Sequence, residues 1–312
     1  MAIKEKRILV TGGAGFIGSH LVDALIAQGI KVSVIDDLST GKKNNLNPRA
    51  KFYNLDIASP EVKNVFKKEK PEVVFHLAFN TNVPKSIVDP LFDAQGVMGS
   101  LNIFSTAVQT GVSKIIMASS AFIYGNYPAS QLPVTEKYLH QPISPYAISK
   151  MASENYLRYF AANYPIAAVI FRYATVYGPR QVAGAMADYI RCIASGRGGE
   201  MYGDGNLTRD YVYVSDIVKA NLLALDYAKP RIVPVFNLGS MEETKLNLVH
   251  KKIANLLGWP DIKPIYRPAR TGELKRYFVS NALAKRQLGW RPTVDLDKGL
   301  AQTVEYYRER LK

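Results

Sequence analysis

A single cysteine, Cys192, and only four histidines occur among the 312 residues. One thiol excludes any disulfide within the chain, and His20, His76, His140 and His250 show no metal-ligand spacing, so no metal site is expected. No apolar run reaches the roughly 18 residues that a membrane span requires. The first residues, Met-Ala-Ile-Lys-Glu-Lys-Arg, lead straight into a strand-like run without a signal-peptide apolar region, so a cytoplasmic protein with no membrane partner is the expectation. Acidic residues are also scarce, 26 against 40 basic ones, which gives a net charge of +14. Such a surface attracts nucleic acid, anionic membranes or phosphorylated small molecules without choosing among them. The densest basic cluster, Lys63, Lys67, Lys68 and Lys70, has no interleaved aromatic platform and reads as a solvated helix face; no nucleic-acid partner is expected.

What the chain has in quantity is apolar residues, 47% of its composition, enough for one large core or two smaller ones. Arg7 to Val10 is a short apolar run ending in Thr11-Gly12-Gly13-Ala14-Gly15-Phe16-Ile17-Gly18, after which Leu21, Leu25 and Ile26 recur at helical spacing. This pattern is strand, glycine turn, helix. Glycines at 12, 15 and 18 permit a tight turn, close approach of backbone to a pyrophosphate, and close packing of helix on strand, while the helix N-terminus offers free N–H groups to the anion. Lys31 to Ile35 forms a second strand ending in Asp36-Asp37, where a carboxylate accepts both hydroxyls of an adenosine ribose. A carboxylate there repels a 2′-phosphate, so NAD is expected rather than NADP, although Lys42 and Lys43 stand nearby.

The alternation continues with strands over Lys51 to Leu55, Val73 to His76, Lys114 to Ala118 and Ala167 to Phe171. Helices are predicted between them: one capped by Ser59-Pro60 and running to Lys70, one from about Leu91 to Thr110, and one over residues 146–163. The pattern predicts an α/β fold, a doubly wound parallel sheet over roughly residues 1–177, with its ligands at the carboxyl edge. Gly12 to Gly18, Asp36, Asp56-Ile57, Ala78-Phe79, Ser119-Ser120 and Tyr173 to Tyr177 all follow strand ends and are expected to converge there. Residues 178–312 read as a smaller substrate-binding region, with about 211–240 packing back onto the sheet. That region holds a loop from Gly196 to Asp210, a helix capped by Ser215, the short run Pro234 to Leu238, and three further helices. Tyr146 and Lys150 lie four residues apart after Ser144-Pro145, a helix start. On a helix such a pair sits about 5–6 Å apart at Cβ, so Lys150 is expected to lower the pKa of Tyr146 and make an acid/base unit.

At this point the chain resembles the extended short-chain dehydrogenase/reductase family, and within it the sugar-nucleotide enzymes of the UDP-galactose 4-epimerase type. The resemblance covers nearly the whole chain and rests on ordered matches. These are the glycine turn, Asp36-Asp37-Leu38-Ser39-Thr40-Gly41, His76-Leu77-Ala78, Ser119-Ser120-Ala121-Phe122-Ile123-Tyr124-Gly125, Tyr146 to Lys150, Tyr177-Gly178-Pro179-Arg180, Tyr202-Gly203-Asp204-Gly205, Thr208-Arg209-Asp210-Tyr211-Val212-Tyr213-Val214 and Leu288-Gly289-Trp290. It implies a Rossmann fold with NAD contacted from Gly12, Gly15, Phe16, Ile17, Gly18, Asp36, Asp37, Ser39, Asp56, Ile57, Ala78, Phe79 and Tyr173. It also implies that Tyr146 is the acid/base at the sugar hydroxyl, that Lys150 holds the nicotinamide ribose, and that Ser120 bonds the reacting oxygen. The implied reaction inverts C4 of a UDP-hexose through a transient 4-keto sugar, without net redox. Family members that dehydrate or decarboxylate carry one or two acidic residues after the catalytic hydroxyl; here those positions are Ala121 and Phe122, which favours the simpler epimerase.

By the same resemblance Arg209 and Arg270 clamp a diphosphate, Glu273 meets the uridine ribose, and the bulk of Tyr277 limits the C2 substituent of the sugar, so UDP-glucose and UDP-galactose are expected over N-acetylated forms. Thr175 stands in place of the usual Asn, Gly96 in place of another Asn, and Phe79-Asn80-Thr81 in place of Ala-Gln, all near the sugar or nicotinamide. Helices 91–110 and 146–163 pair between subunits in this family, so a homodimer is expected, with Phe92, Phe104, Tyr156, Tyr159 and Phe160 as candidates for the surface or for intrachain core. The alternatives are another sugar-nucleotide 4-epimerase acting on UDP-glucuronate or UDP-N-acetylglucosamine, a dehydratase or decarboxylase, or a nucleic-acid-binding or NAD-sensing protein on the same fold.

Overall fold

A computed structural model of the chain describes residues 6–227 and 232–311. The N-terminal residues 1–5, and residues 228–231 of the segment expected to pack back onto the sheet, lie outside the described residues. Backbone contacts gather the chain into two units: Met1–Ile123, Ser144–Arg172 and Val218–Phe236 in the first, Tyr124–Ile143, Tyr173–Ile217 and Asn237–Lys312 in the second.

The first stretch of chain alternates as its apolar periodicity requires: β1 (Arg7–Thr11), α1 (Phe16–Ala27), β2 (Lys31–Asp36), β3 (Lys51–Asn54), α2 (Val62–Glu69), β4 (Val73–His76), α3 (Val83–Val88), α4 (Pro90–Gln109), β5 (Lys114–Ser120), α5 (Pro145–Asn163) and β6 (Ala167–Tyr173). The remainder supplies β7 (Thr175–Tyr177), α6 (Ala185–Ala194), β8 (Glu200–Tyr202), β9 (Thr208–Arg209), β10 (Tyr211–Tyr213), α7 (Val214–Ala224), β11 (Val235–Leu238), β12 (Thr244–Lys245), α8 (Leu246–Leu257), β13 (Ile265–Arg267), α9 (Ala282–Leu288) and α10 (Leu296–Leu311).

Seven strands form one sheet in the order β11-β6-β5-β4-β1-β2-β3, and the pairs β3 with β2, β2 with β1, β1 with β4 and β4 with β5 run parallel. Strand order reverses direction between β1 and β4, which opens a crevice beyond their carboxyl ends. The core on one side of the sheet is built from Leu9, Val74, Ile115 and Ile170 packed with Phe66, Ile103, Phe104 and Leu157 of the helices. Helix starts follow local chemistry. Ser144 Oγ accepts the Ala147 N–H at 3.3 Å with Pro145 in the first turn of α5, and Asp89 accepts the Phe92 N–H at 3.1 Å with Pro90 opening α4. Lys114 is buried at the start of β5, where its ammonium donates to the Ala224, Leu225 and Tyr227 carbonyls at 3.1, 2.6 and 3.0 Å and so closes the end of α7.

Three sequence expectations shift. Ser59 does not cap a helix; its oxygen accepts the Glu61 N–H at 3.2 Å within a turn, and α2 begins only at Val62. Ser215 lies inside the first turn of α7 rather than at its cap. The segment Gly196 to Asp210 is not all loop: β8 pairs in parallel with β13, and β9 pairs antiparallel with β12. These strands are two or three residues long, too short for periodicity to register.

The second unit is tied by buried acceptors. Asp210 takes the Ser240 N–H and hydroxyl at 2.6 and 2.7 Å and the Val279 N–H at 3.1 Å, while Asp216 takes the Thr293 hydroxyl and N–H at 2.7 and 2.9 Å. The Trp290 indole donates to the Asp216 carbonyl at 2.7 Å, which explains the Leu288-Gly289-Trp290 motif: Gly289, at φ 68°, ends α9 and turns the indole inward.

Candidate active site

The turn between β1 and α1 is shaped by close backbone approach. Gly12 has φ +74°, and a Cβ there would lie 2.7 Å from the Ala78 nitrogen beyond β4; a Cβ on Gly18 would lie 2.1 Å from the Gly12 oxygen. Gly15 is the N-cap of α1 and brings no capping side chain, so the first-turn N–H groups, those of Phe16 and Ile17 among them, have no helical acceptor and are available to an anion. Asp36, at the end of β2 and 6% exposed, accepts the Ala14 and Leu38 N–H groups at 2.9 Å each, which fixes its carboxylate against the same turn. Burial raises its pKa and these amide donors oppose the rise. Asp37 is exposed and turns to the Ser39 N–H and hydroxyl at 3.0 and 2.6 Å. The two acids therefore differ: Asp36 faces the glycine turn, and Asp37 closes a local turn with Ser39. Asp56 likewise accepts the Ala58 N–H at 2.8 Å, and Ile57 packs where a Cβ on Gly99 would meet it at 2.5 Å. A glycine turn at a helix N-terminus with a fixed carboxylate at the second strand end fits a dinucleotide without a 2′-phosphate. Phe16, Ile17 and Gly18 would hold its pyrophosphate and Asp36 its adenosine ribose.

Ser120 ends β5, and Tyr146 and Lys150 share a face of α5. All three are buried, at 7%, 8% and 4% exposure. The Ser120 oxygen accepts the Phe122 N–H at 3.2 Å, so its proton is free to act on the Tyr146 phenol, whose pKa the hydroxyl lowers. Lys150 Nζ donates to the Ala118 carbonyl at 2.9 Å and stands 3.8 Å from the centre of the Phe79 ring. The rings of Phe79 and Phe122 each meet Tyr146 edge to face, with centroids 6.2 and 6.3 Å away.

The expected lowering of the Tyr146 pKa by Lys150 is not what the protein's own groups produce. Burial pushes the phenol up to about 12; the Ser120 hydroxyl lowers it, and the Asp93 carboxylate raises it. Burial also takes Lys150 down to about 7, against the opposing pull of Asp93 and Glu154, so near neutral pH it is only partly charged.

A buried polar chain connects the glycine turn to α4. The Ala78 N–H donates to Thr11 Oγ1 at 3.2 Å, Thr11 meets His76 Nδ1 at 2.9 Å, His76 Nε2 meets Ser100 Oγ at 2.9 Å, and Ser100 donates to the Gly96 carbonyl at 2.7 Å. The one proton of Ser100 goes to that carbonyl, so Nε2 carries the histidine proton and Nδ1 accepts from Thr11. Burial lowers the His76 pKa to about 3, which keeps the ring neutral.

In the second unit the structure brings four expected residues together. Arg209 Nη2 lies 3.1 Å from Glu273 Oε1, its Nη1 donates to the Thr208 and Leu274 carbonyls at 2.8 Å each, and its guanidinium is 5.9 Å from the Tyr277 ring centre. The Tyr277 and Thr175 hydroxyls are 2.8 Å apart, so Tyr277, at 2% exposure, offers bulk rather than a free donor. Arg270 is stacked on Tyr202 with its guanidinium carbon 3.3 Å from the ring centre. Tyr173 ends β6 and is buried.

Asp93 was not singled out from the sequence. It lies on the buried stripe of α4 that Gly96, Ser100 and Phe104 continue, and an acidic residue on that stripe is the signal that marks it. Among the described residues no helix is long and apolar enough to cross a membrane, and no group of three or more His, Cys, Asp or Glu side chains is arranged to hold a metal.

The model of the NAD dependent epimerase/dehydratase family matches residues 8–239. The UDP-glucose 4-epimerase of Mycolicibacterium smegmatis is 40% identical over 315 residues, spanning 97% of this chain and 99% of the relative. A crystal structure of UDP-glucose 4-epimerase from Thermotoga maritima with UDP-glucose has a TM-score of 0.94 at 41% identity, covering 98% of this chain and 100% of that one. A Thermus thermophilus UDP-glucose 4-epimerase in complex with NAD has a TM-score of 0.90 at 35% identity, covering 97% and 99%. A match over that span, on a sheet and glycine turn of this geometry, means that the chain belongs to the NAD dependent epimerase/dehydratase family and is an enzyme that works with NAD.

Proposed function

We propose that the chain interconverts UDP-glucose and UDP-galactose by inverting C4 through a transient 4-keto sugar. The observation that carries this reading is the buried set of Ser120, Tyr146 and Lys150, with the Ser120 hydroxyl lowering the pKa of the phenol, Lys150 one helical turn further on from Tyr146 and no carboxylate directly after Ser120. NAD, when bound, supplies the hydride acceptor and a positive ring that favours phenolate. Tyr146 takes the proton of the C4 hydroxyl as the carbon is oxidised, and returns it when the rotated keto sugar is reduced on its other face. Ser120, with its oxygen held by the Phe122 amide, donates to the reacting oxygen. Lys150 keeps one N–H on the Ala118 carbonyl and has two left for the nicotinamide ribose.

In the same proposal Arg209 and Arg270 take the diphosphate, their planar forks matching phosphate oxygens, and Glu273 the uridine ribose. Arg209 then exchanges part of its Glu273 contact for phosphate. The bulk of Tyr277 favours a C2 hydroxyl over an N-acetyl group. A homodimer belongs to this reading too. Leu91 and Met98 on α4 and Ile148, Tyr156 and Tyr159 on α5 are exposed at 80%, 64%, 50%, 42% and 55%, and these helices pack side by side. Of the aromatic candidates for that surface, Phe104 is instead core, at 0% exposure, with Phe160 packed against it.

The test is incubation of the purified protein with NAD and a panel of UDP-, dTDP- and GDP-sugars, with products followed by NMR. C4 inversion of UDP-galactose, lost in Tyr146→Phe, is expected. No inversion with any sugar, or a Tyr146→Phe variant as fast as the parent, would overturn the proposal; inversion of UDP-N-acetylglucosamine or UDP-glucuronate at a higher rate would move the substrate.

A further inference from the structure

Among the described residues, Asp93 is the one carboxylate near the acid/base pair that is neither in an ion pair nor solvated. Its side chain is 0% exposed on α4, and neither oxygen has a hydrogen-bond partner. A buried carboxylate left in this way costs stability unless it does something else. Its surroundings indicate what that is. α4 packs against α5, and the Ser149 hydroxyl and Lys150 ammonium of α5 both act on the Asp93 carboxyl, lowering a pKa that burial raises. Asp93 acts in turn on both members of the pair, raising the pKa of Lys150 and of Tyr146.

The other charged and titratable groups around Lys150 are already committed. Glu154, one turn along α5, receives Arg172 at 2.7 Å, Arg158 at 3.0 Å and the Ser119 hydroxyl at 2.6 Å, so its charge is met by two guanidinium groups. His76 of β4 is neutral and spends both nitrogens on Thr11 and Ser100. On α3, which packs on both helices, Lys85 lies over the Phe92 ring at 3.3 Å, and Ser86 accepts the Tyr146 N–H at 3.3 Å. Phe79 covers the Lys150 ammonium with a ring face and brings no formal charge. Asp93 is therefore the uncommitted counter-charge of this cluster.

We propose that Asp93 is a positioning residue for the reaction, a buried counter-charge that holds Lys150 in its ammonium form while Tyr146 works. The proposal rests on the epimerase reading for its link to turnover, but not for its link to Lys150. Removing the anion favours the deprotonated form of every neighbour at once, so both limbs of the pH–rate profile move to lower pH. A side chain that served packing alone would change the height of that profile and leave its position unchanged.

The experiment compares the parent, Asp93→Asn, Asp93→Glu and Asp93→Leu, each with NAD bound. Lysine side chains labelled with carbon-13 are titrated by NMR, and Lys150→Met identifies the Lys150 resonance. The Lys150 midpoint is expected to fall by about one pH unit or more in Asp93→Asn and to recover in Asp93→Glu, because one unit corresponds to a tenfold change in the charged-to-neutral ratio. Thermal melting of Asp93→Leu is expected at or above that of the parent, with turnover at pH 8 at least tenfold lower. An unchanged Lys150 midpoint in Asp93→Asn overturns the proposal whether or not the parent turns over a sugar nucleotide. A parent that inverts no sugar, with a midpoint that still shifts, leaves the charge coupling standing and removes the epimerase reading. If Asp93→Asn does not fold, Asp93→Leu carries the same titration, and a midpoint unmoved there overturns the proposal equally.

Discussion

The ring of Phe79 fills the space that a side chain at position 96 would need: a Cβ placed on Gly96 would lie 2.8, 2.9 and 3.1 Å from three of its carbons. Two departures from the family pattern, separated in sequence, are thus one substitution in space. The ring so admitted is the one that covers the Lys150 ammonium at 3.8 Å.

Gly96→Ala should therefore be destabilising although alanine is the better helix former. Overpacking against a rigid ring costs about 1–3 kcal/mol, more than the roughly 1 kcal/mol that alanine gains over glycine in a helix interior. In a Phe79→Ala background the clash is gone and the same change should stabilise. Urea unfolding of the four proteins of this cycle measures both signs; a Gly96→Ala effect of one sign in both backgrounds would mean that the ring yields.

The glycine turn gives a graded expectation. A Cβ on Gly18 would strike the Gly12 carbonyl at 2.1 Å, whereas one on Gly15 would approach the same oxygen at 3.1 Å. Gly18→Ala has no flexible side chain to displace, only backbone, so the turn itself must open. NAD affinity measured by calorimetry should drop by more than tenfold in Gly18→Ala and by less in Gly15→Ala. Equal affinities for parent and Gly18→Ala would show that the turn does not hold the cofactor.

Much of this site was legible in the sequence, for physical reasons. Strand, glycine turn and helix succeed one another within the first 27 residues, and each needs a residue type that the others exclude. Ser144-Pro145 marks the start of α5 because capping is local chemistry. Several features were not legible. The neutral-pH charge of Lys150 depends on burial and on Asp93, a residue 57 positions away in sequence, by the difference between 150 and 93. The pairing of Arg209 with Glu273 joins residues that are 64 apart. Phe104 carries the same aromatic signature as Tyr159, yet one is core and the other exposed, because the choice is made by which side of α4 or α5 meets the sheet.

The exposed stripe on α4 and α5 yields a test of association. Changing Ile148 and Tyr159 to Glu places two charges on positions that are 50% and 55% exposed, where substitutions ordinarily change stability by no more than about 0.5 kcal/mol. Sedimentation should show the parent as a dimer and the variant as a folded monomer, with an unchanged circular dichroism spectrum and a thermal midpoint that no longer depends on protein concentration. A parent that sediments as a monomer at micromolar concentration contradicts the dimer.

Glu154 and Arg172 make the least exposed ion pair described in the chain, with side chains 0% and 2% exposed and two hydrogen bonds of 2.7 and 3.0 Å between them. The pair joins α5, which carries Tyr146 and Lys150, to β6, and through the Ser119 hydroxyl at 2.6 Å to β5 beside Ser120. Glu154→Gln leaves a buried guanidinium without its counter-ion, and about 3–5 kcal/mol of stability should be lost at pH 7. The pKa of Glu154 is lowered from 4.5, chiefly by Arg172 working against burial. The contribution is therefore fully present above about pH 4.5 and is lost as pH falls through the lower folded value. Urea unfolding at pH 7 and at successively lower pH should show the parent's advantage over Glu154→Gln shrinking as Glu154 takes up its proton. Replacing both partners, Glu154→Leu with Arg172→Met, should cost far less than the single change, because no charge is left stranded. A gap that stays constant with pH, or a double variant weaker than Glu154→Gln, would mean that packing around this pair outweighs its charge.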